Sequence, residues 1–159
     1  MSAADIESMW RLLLALGCGV CLGLNRDLHH KSAGVRTFSL VSVGTALVTL
    51  AAAHVTGADG ATVGRVIQGV LTGIGFVGAG VIFHNSKGKA VAGLTTAAAI
   101  WFTAVLGVAC GLGHFALVLM GLIASLMILV IGRPIERVAE KLTRSSAQPA
   151  AGEEPPAQW

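Results

Sequence analysis

The sequence predicts an all-α, polytopic membrane bundle of five transmembrane helices, and three observations predict it. Hydrophobic residues make up 54% of the 159 residues, charged residues 12%, and the mean hydropathy is +0.77. That balance lies outside the range of ordinary soluble domains. The apolar residues fall into five runs of roughly spanning length, about 6–24, 38–53, 66–83, 90–111 and 115–132. Lysine and arginine gather at the ends of these runs and mostly on one side, the pattern that sets membrane topology. In hydrocarbon each unpaired backbone group costs several kcal/mol, so every run is driven into a helix.

Residues 1–5 form a short polar lead. They lack a basic start and a small-residue cleavage site, and Asp5 and Glu7 precede the apolar run, so no removable signal peptide is expected. The first span contains Arg11, which near a helix end is expected to snorkel to the interface beside Trp10. At 100° per residue Arg11, Ala15, Cys18, Leu22 and Arg26 share one face, which should look into the bundle. Loop one, Asn25 to Thr37, carries Arg26, Lys31 and Arg36. The second span places Ser42, Thr45, Ala46, Thr49 and Ala53 in one stripe of small and polar residues suited to helix contacts.

The third span, between Arg65 and His84, holds eighteen uncharged residues, five of them glycine. It is about 27 Å long at ~1.5 Å per residue. Gly69, Gly73 and Gly80 line one side; Gly75, Gly78 and Ala79 line a roughly opposite one. Bare backbone on two sides predicts the central helix of the bundle, with neighbours on both flanks. The fourth span sets Gly93, Thr96, Thr103, Gly107 and Cys110 against a bulky side of Leu94, Trp101 and Val105. The expected packing core is completed by Gly93, Thr95, Thr96 and Trp101, although Trp101 falls on the side that should meet lipid or a partner. The fifth span is bulkier, with Gly121 and Ser125 as its packing notch. These spans make residues 1–132 the transmembrane domain. Residues 133–144 read as a basic helical extension, with Pro134 tolerable in its first turn, and 145–159 as a disordered tail.

Nine lysines and arginines, Arg26, Lys31, Arg36, Lys87, Lys89, Arg133, Arg137, Lys141 and Arg144, fall on one side, against Arg11 and Arg65 on the other. The positive-inside rule then places the N-terminus outside and the C-terminus in the cytoplasm. The net charge of +3 and pI near 9.1 do not signal nucleic acid, because the basic residues form no stripe interleaved with aromatics.

Candidate chemistry is sparse. Gly73-Ile-Gly75-Phe-Val-Gly78 spells a GxGxxG dinucleotide fingerprint, but no strand precedes it and no acidic residue occurs between Asp59 and Glu136 to hold a ribose. Helix packing explains it better. The same gap weakens a proton relay or divalent-cation site within one chain, leaving backbone carbonyls or a site shared between subunits. Cys18 and Cys21 imitate a CxxC pair outside the strand-to-helix setting that thioredoxin chemistry needs, so both read as small packing residues. Thr95 and Thr96 either line a polar cavity or bond back to a helix carbonyl, the latter being favoured. Adjacent His29 and His30 read as solvated loop residues more readily than as a pH sensor. No catalytic, cofactor or metal residue is expected.

LGLNRD at 22–27, KSAGVRTFSLVSVG at 31–44, RVIQGVLTGIGFVGAGVIF at 65–83 and GLTTAAAIWFTAVLGVACGLG at 93–113 together resemble the MgtC/SapB family of bacterial membrane proteins. The likeness covers about residues 8–130, in several long motifs of fixed order. The resemblance implies an inner-membrane protein linked to growth at low magnesium, acid tolerance and survival inside host cells. It further implies action through other membrane proteins, including restraint of the ATP synthase, more than direct transport. Two positions depart from the family: Asn25 stands where glutamate is frequent, and Thr62 where aspartate is common.

Two functions follow as expectations. The leading one is a non-enzymatic accessory or regulatory protein of magnesium homeostasis and acid or low-magnesium stress. Its partners would be the bilayer and other membrane proteins, by resemblance the ATP synthase or an ion transporter. Arg26, Lys31 and Arg36 would then form a partner- or anion-docking set, against the simpler reading of Arg26 and Arg36 as helix-end topology anchors. The alternative is a small magnesium or other ion transporter working as a homo-oligomer, with its site between subunits.

Overall fold

The computed structural model describes residues 2–55, 57, 59–85 and 92–146, and among them every regular element is an α-helix. In order these are α1 (Ala3–Asp27), α2 (Val35–Val55), α3 (Gly60–Asn85), α4 (Leu94–Gly111) and α5 (Phe115–Ser146). All five contain stretches long and apolar enough to cross a membrane. The chain divides into two compact units, residues 1–126 and 127–159. The first holds α1 to α4 and the start of α5. The second holds the remainder of α5, with Pro134 inside the helix. The expected tail lies outside the described residues from 147 onward, as do Lys87 and Lys89 of the third loop.

Helix ends follow from local chemistry. Ser2 caps α1 in a capping box with Asp5. At the other end, Lys31 N–H donates to the Arg26 carbonyl (3.1 Å) and His30 N–H to that of Asp27 (2.9 Å), a Schellman motif with His30 in the left-handed region at φ 50°. The end of α4 repeats this motif with glycine, Gly113 at φ 77°. Asp27 turns back so that its Oδ2 accepts the Val35 N–H at 3.0 Å, capping the start of α2. Asp59 does the same for α3, accepting the Thr62 N–H at 3.0 Å.

The predicted inward faces of three helices are found. Ala15, Cys18, Leu22 and Arg26 of α1 are buried, as are Ser42, Thr45, Ala46 and Thr49 of α2, and Thr96, Thr103 and Cys110 of α4. Thr45, Thr49 and Thr103 each donate to the carbonyl four residues earlier, so burial leaves none of these three hydroxyl protons unmet. Backbones approach closely at two GxxxG pairs. Gly19 and Gly23 of α1 lie against the backbone of α2 near its start, and Gly107 and Gly111 of α4 lie against α2 farther along.

The centre of the bundle is not where the glycine count placed it. Helix α4 packs on α1, α2 and α3, and 56% of its spanning window is buried, against 6% for α3. Among the described residues, no atom of another element stands within 4 Å of where a Cβ would project from Gly69, Gly73, Gly75 or Gly80, whereas Gly78 meets Ala97 of α4. The physical reason is that α3 presents bulky residues to the chain. Val63 is buried and Ile67, Leu71 and Ile74 are half-buried, while Gln68, Gly69, Thr72, Gly73 and Phe76 face outward. Gly121 of α5 does form the expected notch, taking Leu106 and Phe102 of α4.

Candidate functional site

The most ordered polar chemistry lies where α1 and α4 run antiparallel. Arg26 is 2% exposed, and its Nη2 donates to Thr96 Oγ1 in the first turn of α4 at 2.5 Å. At the far end Arg11 Nη1 donates to the carbonyl of Gly111 at 2.9 Å, and its Nη2 pairs with Glu7. Fifteen residues separate the two arginines and fifteen separate their two partners, about 22 Å on each helix at ~1.5 Å per residue. Equal spacing fixes the register of α1 on α4 at both ends. Hydrogen bonds to charged groups contribute roughly 1.5–3 kcal/mol each, and burial sharpens the penalty for losing a partner.

Arg11 thus does more than snorkel. The last carbonyls of a helix lack intrahelical donors and carry the negative end of the dipole, so a guanidinium at that level is drawn to them. Thr96 likewise accepts from Arg26, where a bond back to its own helix was the favoured expectation. Thr95 and Trp101 are exposed among the described residues; Gly93 is the N-cap of α4, at φ 91° and with no side-chain cap bond.

Beside the Arg26–Thr96 contact is a cavity of about 380 Å³ lined by His30, Lys31, Ser32, Ala92, Gly93 and Thr96. Of the expected docking set, Lys31 lies here, Arg26 is buried beneath, and Arg36 is exposed on α2 away from the lining. The three do not form one surface. Cys18 and Cys21 do not face each other either. Cys18 meets Cys110 of α4 thiol to thiol, while Cys21 is exposed. Among the described residues, no three His, Cys, Asp or Glu side chains gather as a metal site.

The family model described as the MgtC family matches residues 12–138, a stretch that begins just after Arg11 and includes Arg26 and the cavity lining. The chain belongs to the MgtC family. Its relatives include Protein SrpB of Synechococcus elongatus, 39% identical over 140 residues covering 82% of this chain and 77% of that protein. Protein MgtC of Brucella melitensis is 38% identical over 133 residues, 82% of this chain and 54% of its own length. The Escherichia coli K12 protein named "Putative magnesium transporter YhiD" is 37% identical over 132 residues, 79% of this chain and 60% of its own. This MgtC-family chain therefore spans little more than half the length of several curated relatives. No solved structure matches it. The family assignment and the five spanning helices together make it a multi-pass membrane protein.

The polar contacts that sequence reasoning missed, Arg11–Gly111 and Arg26–Thr96, link positions 100 and 70 residues apart. Their signal was the matched fifteen-residue spacing on two antiparallel spans, readable only once those spans are known to be neighbours.

Proposed function

We propose that this protein is an accessory or regulatory component of magnesium homeostasis in the inner membrane, acting through contacts of α3 with other membrane proteins. One observation carries the reading: α3 is inside out for a lipid-facing helix. Val63, Ile67, Leu71 and Ile74 face the chain, while Gln68, Gly69, Thr72 and Gly73 face outward, with Phe76 and Val77 the bulky residues beside them. In a bilayer, small residues and side chains that can hydrogen-bond across helices belong at helix contacts. On the outer part of α5, by contrast, Leu117, Leu119, Met120 and Ile123 are exposed, the bulky surface that lipid favours. The positive-inside bias supports an N-terminus outside and loop one in the cytoplasm.

A second reading, transport through a site between copies, is favoured by the name of the YhiD relative. Two measurements separate them. Gly73→Leu, at a position with open space around it, should leave insertion and folding intact but abolish low-magnesium growth support and the crosslinks that α3 forms to other proteins. Normal growth and unchanged crosslinks would remove α3 as the contact surface. Magnesium flux into liposomes that depends on the purified protein would establish transport in place of the accessory role.

A further inference from the structure

We infer that the cavity between the end of α1 and the start of α4 is a binding site for a phosphate group, carried by a lipid headgroup or by a free phosphate. The lining is built for an oxyanion. Lys31 supplies a point charge and His30 a ring N–H, both from the Schellman turn that ends α1. Thr96 supplies the decisive donor. It is 4% exposed and lines the cavity, and its Oγ1 already accepts from Arg26. Accepting from a guanidinium leaves the hydroxyl proton directed elsewhere and makes it a stronger donor, because linked hydrogen bonds polarise one another. Span threonines Thr45, Thr49, Thr72 and Thr103 spend theirs on their own helix; Thr96 faces the cavity with Arg26 behind it.

Charge supports the same ligand. The buried guanidinium of Arg26 donates to Thr96 in the first turn of an 18-residue helix, where the dipole is also positive and that turn holds no acidic residue. Asp27, the nearest carboxylate in sequence, is engaged with the Val35 N–H. A volume of about 380 Å³ exceeds what a halide needs and falls within the range of small-molecule sites. The cavity also sits where the spans end, at the level of lipid phosphates if the bundle crosses the bilayer as its length dictates. This inference does not depend on which protein α3 contacts.

The test uses the full chain in neutral detergent, with thermal unfolding and native mass spectrometry as readouts. One arm adds inorganic phosphate against chloride at matched ionic strength. The other adds phosphatidylglycerol against diacylglycerol. Stabilisation in the first arm assigns a free phosphate and in the second a lipid; either supports the site. Lys31→Gln should weaken binding about tenfold, the equivalent of one charge-assisted contact, and Thr96→Val by at least as much. Lys31 is exposed, so Lys31→Gln keeps the test alive should Thr96→Val fail to fold. Arg36→Gln, outside the lining, should bind as the parent does. Binding by neither probe, equal stabilisation by chloride, or an equal loss in Arg36→Gln would overturn the site.

Discussion

Gly19→Ala on α1 tests the packing most directly, with Gly73→Ala on α3 as its counterpart. A Cβ at Gly19 would lie 2.6 Å from Ser39 Cα, 2.8 Å from the Phe38 carbonyl oxygen and 2.9 Å from Ser39 N. All three are backbone atoms of α2, so no rotamer change relieves the overlap. Ordinary contact begins near 3.4 Å, and α1 must therefore withdraw by about 0.8 Å along an interface that continues at Gly23. Overpacking of this kind costs up to about 3 kcal/mol, and the gain in helix propensity returns up to about 1 kcal/mol. The net loss is about 2 kcal/mol, near 30-fold in the folding equilibrium. Gly73→Ala meets nothing within 4 Å. It keeps only the propensity term, so it should be neutral or stabilising by up to about 1 kcal/mol in dilute detergent. Denaturant titration of both variants, followed by circular dichroism, reads the difference. Equal and large losses in the two would refute the assignment of the packed core to α1, α2 and α4, and restore α3 to the centre.

Three further outcomes follow from single contacts. His30→Gly should stabilise the chain by about 0.5–1 kcal/mol, because a left-handed conformation strains any residue with a Cβ; a lower unfolding midpoint would contradict the Schellman geometry. A membrane-permeant maleimide should label Cys21 alone in the folded protein, since Cys18 and Cys110 are 1% and 0% exposed; mass spectrometry showing more than one adduct per chain would count against the α1–α4 contact. The Asp59 carboxyl is held below its ordinary value of 3.8, first by the Thr62 hydroxyl and then by the backbone N–H groups of Thr62 and Ala61. With the folded pKa depressed, its capping of α3 is fully present above about pH 3.8 and fades as pH falls through the lower folded value. Hydrogen exchange at the first turn of α3 should therefore accelerate only on acidification below that point, and in Asp59→Ala at every pH.

What the sequence disclosed about this fold depended on the range of the signal. The inward faces of α1, α2 and α4 were legible because side-chain direction repeats every 3.6 residues, and small or polar residues in a span seek other helices. Ala15, Cys18, Leu22 and Arg26 are buried for that reason. The partner of a buried polar group was not legible, because helical periodicity carries no register between spans. Arg26 could be placed inside the bundle from its own helix, but Thr96 could not be named from it.

The case of α3 is different in kind. Glycine density reports that a helix can be approached closely; it does not report which chain approaches. Gly19–Gly23 and Gly107–Gly111 receive α2 of their own chain, whereas Gly69–Gly73 has the same spacing and nothing within 4 Å. Gln68 sharpens the contrast. A primary amide exposed on a spanning helix pays for desolvation without a partner unless a second helix supplies one. On the proposed function that helix belongs to another protein. The expectation of a doubly flanked α3 then described the environment of the helix, and erred in assigning both flanks to one chain.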